Sequence, residues 1–496
     1  MLTPEYLDRM PDGMVELYAQ AEADILADMA RRIKAYDYWV PSAEHQKKRL
    51  EEMGAAETYI YERLSGLTGK SEKELRRLFR AAAEEAVGSD RAYYTEAGLD
   101  PPALDASEEL QSVLNAGLRQ TNGLFRNLTR TTAGAGAEQF GRALDRAWMQ
   151  VSTGAFDVNT AVRRAVKELA GHGLEAVRYE SGATSTIEAA VRRAVVTGVN
   201  QACLKAQWAL ADQMESDLVE VTAHAGARPE HAAWQGKVYS RSGRSKKYPD
   251  FVRRTGYGSG EGLGGWNCRH SFFPYFEGAK RTFSRGELAK LDDKTIEYNG
   301  KKLTEYEASQ EQRCIERQIR RWKRENAAMQ AAGEDTYESA AKIKAWQDRQ
   351  KDFVRQTGLK RQYDREQAAG FGKKQAAAVR RDLAKYRKYR YNKDGTIVVT
   401  DDWTEKAHPH LPTAYRPFAV LDTVSRGGEQ HDRVYYDKNG RQSRQISSGP
   451  HGNAKKHPFG AHGEHAHDIV WEDGKIIRRT VRALDDQERK ENADIL

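Results

Sequence analysis

Apolar residues that recur every third or fourth position constrain this chain more than any other feature of its 496 residues. Met14, Leu17, Tyr18, Ala21, Ile25, Met29 and Ile33 follow that spacing, which gathers them on one helical stripe needing cover from a neighbouring element. Ile187, Val191, Val195, Val199 and Ala202 repeat the pattern. Further helices are predicted after Pro41, with Ser42 as N-cap and Gly54 as stop, from Ser71 to about Val87 with SEKE as a capping box, from Ser107 to about Leu128, through Trp148, and from Asn159 to Leu169. Interruptions are expected at Gly88-Ser89-Asp90, at Asp100-Pro101-Pro102, at TTAGAGAEQ near residue 135 and at the terminator Gly171-His172-Gly173. A second capping box, S-T-I-E from Ser185, is expected to open the helix of the Ile187 stripe.

Two stretches break the helical pattern. Residues 221–278 gather histidines, Cys268, Trp234 and Trp266 around SRSGRSKKYPDFVRRTGYGSGEGLGG, a loop with the composition of a mobile segment. Trp234, Trp266 and Phe272 are expected in its core. Beyond residue 395, short β-rich runs (IVVT, FAVLDTV, RVYYD, DIVW and KIIRRTV) alternate with turn chemistry at Asp437-Lys438-Asn439-Gly440 and Glu472-Asp473-Gly474. The fold class expected is therefore mainly α with a central α+β module and a C-terminal α+β domain. The domains are read as a helical arm over 1–216, the central module over 217–285, a helical basic segment and linker over 286–394, and a His-rich α+β domain over 395–496.

No apolar run reaches the roughly 18 residues needed to span a bilayer, and the N-terminus lacks the order of a signal peptide, so no membrane partner is expected. Cys203, Cys268 and Cys314 are odd in number and far apart, which argues against a disulfide framework and for synthesis in a reducing cytoplasm. The formal charge of +8 permits a polyanionic partner without requiring one.

Three constellations carry candidate chemistry. In the central module His224, His231, Cys268 and His270 are ligand types for zinc. The alternative is that these imidazoles satisfy buried carbonyls while Cys268 fills core space. Arg313, Arg317, Arg320 and Arg324 lie on one helical face, either as a contact for nucleic acid or an acidic protein patch or as a solvated stripe. Tyr386, Tyr389 and Tyr391, interleaved with Lys and Arg, fit single-strand stacking or, preferably, a linker helix. Eight of the thirteen histidines fall between His408 and His467. Of these, His451, His457, His465 and His467, with Asp468 and with Lys455, Lys456 and Arg433 as phosphate-holding cations, suit proton transfer at a ribose 2′-hydroxyl and a leaving oxygen without metal. On one strand His465 and His467 point to the same face, as an acid and base pair or two metal ligands would. A polar hairpin bearing surface histidines is the alternative.

Four stretches, YESGATSTIEAAVRRAVVTGVNQ at 179–201, HAGARPEHAAWQGKVYS at 224–240, NCRHSFFPY at 267–275 and YEASQEQRCIERQIRRWKRE at 306–325, with the weaker GLKRQYDREQAAGFGKKQ at 358–375, resemble the phage minor capsid proteins, the head-morphogenesis group related to the Mu F-like proteins. The likeness covers about residues 1–390. It implies a virion protein made in the bacterial host cytoplasm, bound to portal and capsid proteins, and incorporated during head assembly. Residues 395–496 are placed as the toxin- or nuclease-like extensions of such proteins are. The resemblance supplies no catalytic residues for the first 390.

Overall fold

The structure is a computed structural model that describes residues 2–37, 39, 43–178, 184–291, 293–385, 388–404, 411–425, 428, 430–472 and 475–496. It divides into two compact units, Met1–Glu334 with Ala345–Gly372 and Asp335–Lys344 with Lys373–Leu496. The expected border at residue 395 thus lies inside the second unit. The expected Ser42 cap, Tyr386, His408, His410 and the Asp473-Gly474 turn lie outside the described residues.

The first unit opens with α1 (Pro4–Arg9), α2 (Asp12–Ala35), α3 (Ala43–Ser65), α4 (Thr68–Glu96), α5 (Glu108–Ser152) and α6 (Val158–His172). A short β1 (Glu175–Arg178) and β2 (Thr184–Thr186) hairpin leads to α7 (Ile187–Gln213). The predicted stripes build one core: Met14, Tyr18, Ile25, Met29 and Ile33 from α2 meet Ile187, Val191, Val195 and Val199 from α7, with Phe79, Phe140 and Leu144 between them. Each large side chain buried this way contributes about 1.5–3 kcal/mol, which explains why packing overrides local helix breakers. α3 runs through Gly54, α4 through Gly88-Ser89-Asp90, and α5 continues unbroken through TTAGAGAEQ for 45 residues. A Cβ on Gly136 would lie 2.9 Å from both Ile60 Cδ1 and Leu174 Cδ1, so the expected break is a close-approach point. Asp90 is buried and accepts from Gln207 Nε2 at 3.0 and 3.1 Å, which turns a turn-like triplet into a tie between α4 and α7.

The caps shift accordingly. α4 starts at Thr68, so Ser71 sits inside it with Oγ donating to Thr68 O. α7 is capped by Thr186, which accepts from Ala189 N–H, rather than by Ser185. Ser107 caps α5 and Gly173, at φ 78°, ends α6, both as predicted.

The central part is a three-stranded antiparallel sheet, order β4-β3-β5, from β3 (Leu218–Val221), β4 (Val238–Ser240) and β5 (Phe272–Pro274), with the short α8 (Pro229–Ala232) and α9 (Phe251–Thr255). Trp234 and Phe272 join its core, but Trp266 is 57% exposed. Its backbone explains this: Trp266 N–H donates to Gly260 O at 2.7 Å and its carbonyl accepts from Arg228, leaving the ring on the outside against Gly260. The glycine loop is a backbone knot. A Cβ on Gly262 would lie 2.0 Å from Gly256 O and one on Gly265 2.2 Å from Gly260 O, so glycine is needed where chain meets chain.

The unit closes with α10 (Arg285–Lys290), the hairpin β6 (Ile296–Tyr298) and β7 (Lys301–Leu303), α11 (Glu305–Ala331) and most of α12 (Tyr337–Thr357). The second unit contains α13 (Lys373–Lys385), a six-stranded sheet and α14 (Asp486–Glu491). The sheet order is β13-β12-β11-β10-β9-β8, with β8 (Asp401–Asp402), β9 (Val420–Val424), β10 (His431–Tyr436), β11 (Gln442–Ser447), β12 (His465–Glu472) and β13 (Lys475–Arg482). All neighbours are antiparallel except β8 and β9. IVVT forms only a bridge from Ile397 to Tyr391, whereas the polar QSRQIS of β11 is a strand because β10 and β12 pair with both its edges. Tyr389 packs on Phe418 and Tyr435 in this unit's core, and so is not a stacking platform.

Candidate functional site

In the central module, β5 and the knot before it, α8 and the turn after β3 bring all four expected ligand types together. Cys268 Sγ lies 3.8 Å from His231 Nδ1 and 3.7 Å from His270 Nδ1, all three residues being buried. The His224 ring centre is 4.5 Å from that of His270. His231 Nε2 is 2.8 Å from Glu261 O, a carbonyl presented by the glycine knot, and His270 Nε2 is 3.1 Å from Gln235 Oε1. Burial, then the charges of His224, His231 and Arg228, push His270 down to about 2, and burial also lowers His224 and His231. All three imidazoles are therefore neutral at pH 7.

The arginine face of α11 is committed inside the first unit. Arg313 reaches Asp8 and Glu316, Arg320 reaches Glu188 and the Arg365 carbonyl, and Arg324 donates to Ala170 and Gly171 carbonyls. Only Arg317 of the four is exposed. Asp8 is the hub, held by Arg269, Arg313 and Arg365. Burial pushes its carboxyl up, and these guanidiniums outweigh that and hold it below the ordinary value. The even spacing of these arginines left an acidic protein partner open but could not place it at Asp8, some 300 residues away.

In the second unit β12 and the loop before it converge four imidazoles. His465 Nε2 is 2.9 Å from His467 Nε2, the His457 ring stacks on His465 with centres 4.2 Å apart, and His451 lies 5.1 Å from His465 and 5.7 Å from His467. His465 Nδ1 donates to Gly463 O, so its Nε2 is the acceptor and His467 Nε2 the donor, leaving His467 Nδ1 with a lone pair. Gln430 accepts from His451 N–H and donates to His451 Nδ1, so His451 Nε2 carries the hydrogen, 3.1 Å from Ser447 Oγ. Burial and the neighbouring His465, His451, His457 and Arg479 charges push His467 down to about 4. Burial and His465 also lower His457.

Two expected members are engaged elsewhere. Arg433 is fully buried, with its fork spent on Asp422 at 2.7 Å and Asp494 at 2.7 and 2.8 Å, so it holds the sheet together instead of facing a phosphate. Asp468 accepts from Arg482 and Arg444, and those bonds hold its carboxyl below the ordinary range. Lys455 and Lys456 are exposed on the loop before β12, as is His462. Arg479, exposed on β13 with its charge felt at His467, is a cation the sequence reading missed. The register of two neighbouring strands was the missing signal.

The described residues thus hold two clusters of imidazoles, one with Cys268 in the helical first unit and one in the sheet of the second. The family model for phage minor capsid protein 2 matches residues 2–355. The chain belongs to that family. It is 32% identical over 157 residues to a structural protein of Lactococcus phage LL-H, covering 30% of this chain and 39% of the relative. It is 35% identical over 126 residues to a structural protein of Lactococcus phage mv4, covering 25% of this chain and 94% of the relative. The chain thus spans about two fifths of the first relative and nearly all of the second. No solved structure matches it. Among the described residues no helix is long and apolar enough to cross a membrane.

Proposed function

We propose that this phage minor capsid protein is built into the virion beside the portal, in contact with portal and capsid proteins, after synthesis in the host cytoplasm, and that its second unit is a ribonuclease carried there. The observation that carries the second part is the convergence of His451, His457, His465 and His467 on a sheet that lies beyond the family match. In this reading His467, unprotonated at neutral pH, takes the proton from a ribose 2′-hydroxyl. That oxygen attacks the adjacent phosphorus and the 5′-oxygen leaves with a proton from His451 in its imidazolium form, Nδ1 having taken up a proton in place of the Gln430 hydrogen bond, giving a 2′,3′-cyclic phosphate and neutral His451. Lys455, Lys456 and Arg479 offset the charge developing on the phosphoryl oxygens.

Purified virions, analysed by mass spectrometry, are expected to contain the chain, and co-expression with the neighbouring portal protein to co-purify it. Absence from both would overturn the placement. The full-length chain is expected to cleave RNA in the presence of chelator, with His467→Gln and His451→Gln each lowering the rate by about 10²–10⁴-fold. Undiminished cleavage by both variants, or none by the wild type, would overturn the ribonuclease.

A further inference from the structure

The hydrogen bonds around Cys268 fix which imidazole nitrogens carry protons. A carbonyl oxygen only accepts, so His231 Nε2, bonded to Glu261 O, is the N–H and Nδ1 keeps its lone pair. Gln235 Oε1 accepts from the His224 backbone N–H at 3.1 Å, which identifies it as the oxygen end of the amide. His270 Nε2, bonded to the same atom, is then also an N–H, and its Nδ1 holds the lone pair. His224 Nδ1 donates to Ala225 O at 2.8 Å, leaving a lone pair on Nε2, a buried atom with no hydrogen-bond partner among the described residues.

Sulfur therefore faces the lone pairs of His231 Nδ1 and His270 Nδ1 with at most one proton to offer. A thiol satisfies one of them and leaves the other buried against an acceptor. Burial raises the Cys268 thiol, and the His270 backbone N–H that Sγ accepts at 3.4 Å works against it, toward thiolate. A cation among the three atoms satisfies the lone pairs of His231 Nδ1, His270 Nδ1 and the sulfur at once. Tetrahedral zinc, at about 2.3 Å from sulfur and 2.0–2.1 Å from nitrogen, sets a sulfur–nitrogen edge of about 3.6 Å. The two edges here are 3.7 and 3.8 Å. The outer bonds to Glu261 O and Gln235 Oε1 are the kind that orient metal-bound imidazoles.

We propose that His231 Nδ1, Cys268 Sγ and His270 Nδ1, which lie within 4.8 Å of one another, hold one structural zinc ion, and that the His224 side chain, outside that group as it stands, turns its unpartnered Nε2 in as the fourth ligand. The ion fastens α8, the glycine knot and the lead into β5 around one point. The proposal is independent of the ribonuclease reading, since both sites lie in different units.

The test uses the full-length chain purified without chelators. Zinc X-ray absorption on the wild type is expected to show a sulfur scatterer beside nitrogen, and replacement by cobalt a thiolate-to-cobalt charge-transfer band. Cys268→Ser is expected to lose that band and Cys314→Ser to keep it, which separates this centre from the sulfur-free imidazole cluster of the second unit. His224→Ala is expected to release its metal to a competing chelator at least tenfold faster. A wild-type zinc shell of oxygen and nitrogen alone, no thiolate band with cobalt, or a band retained in Cys268→Ser would overturn the site. Equal release rates in His224→Ala and wild type would remove His224 from it. The wild-type spectrum decides the matter even where a variant fails to fold.

Discussion

His270 makes the stability of the central module depend on pH in a direction and amount that follow from its surroundings. The residue is 1% exposed, and burial with the nearby His224, His231 and Arg228 charges pushes its imidazole down to about 2. In the unfolded chain the same group titrates at about 6.5. The unfolded state therefore takes up a proton that the folded state refuses. Stability is fully present above about pH 6.5 and is lost progressively as pH falls toward the folded value. Between pH 7 and pH 5 the loss from this one residue is about 2 kcal/mol. That amount barely changes for any folded value below about 4.5, because the unfolded state alone titrates in the window. His224 and His231, also lowered, add in the same direction. The measurement is hydrogen exchange of residues 267–275 at several denaturant concentrations, with chelator present so that only the apo chain contributes. His270→Gln keeps a polar group of similar size and is expected to flatten the pH 7 to pH 5 difference by about 2 kcal/mol. Parallel profiles for wild type and variant would refute the reasoning, since they would mean that His270 titrates normally in the fold.

Three further outcomes are expected. Arg433→Met strands Asp422 without its partner and should lower the opening free energy of β10 by about 3–5 kcal/mol, read by hydrogen exchange; adding Asp422→Asn and Asp494→Asn should recover part of it, and an unchanged opening energy in Arg433→Met would contradict the buried clamp. Gly136→Val drives a branched side chain into Ile60 and Leu174 and should cost about 1–3 kcal/mol in denaturant unfolding, whereas Gly134→Ala, with open space around it, should cost nothing. Asp8→Asn leaves Arg269, Arg313 and Arg365 facing one another without a counter-charge. It should expose α1 to limited proteolysis, and protection equal to wild type would count against the hub.

The helical stripes were legible because periodicity reports burial directly: Ile187, Val191, Val195 and Val199 are all in the core the spacing foretold. Helix ends were less so. Gly88 and the TTAGAGAEQ glycines look like stops in isolation, yet helix continues through all of them; at Gly136 the close neighbours Ile60 and Leu174 show what glycine serves, whereas Gly88 and Gly134 meet nothing within 4 Å. The grouping of His224, His231, Cys268 and His270 could be read from residue types, but not the tautomers, which depend on Glu261 and Gln235 carbonyls. Arg433 shows the opposite failure. Lying in a β-rich run near histidines, it reads as a surface cation, and the two aspartates that bury it stand 11 residues before and 61 after.

The Asp8 hub has a consequence for synthesis. Its salt bridges join residue 8 to residues 269, 313 and 365, so the first helix cannot complete its contacts until nearly three quarters of the chain has been translated. At about 5–20 residues per second, the wait between making Asp8 and making Arg365 is roughly 20–70 s. Over that interval the Asp8 carboxylate gains its partners one at a time, Arg269 first and Arg365 last. Closure of this unit therefore waits on Arg365, and a chain terminated before residue 269 leaves the Asp8 carboxylate with none of its three guanidiniums.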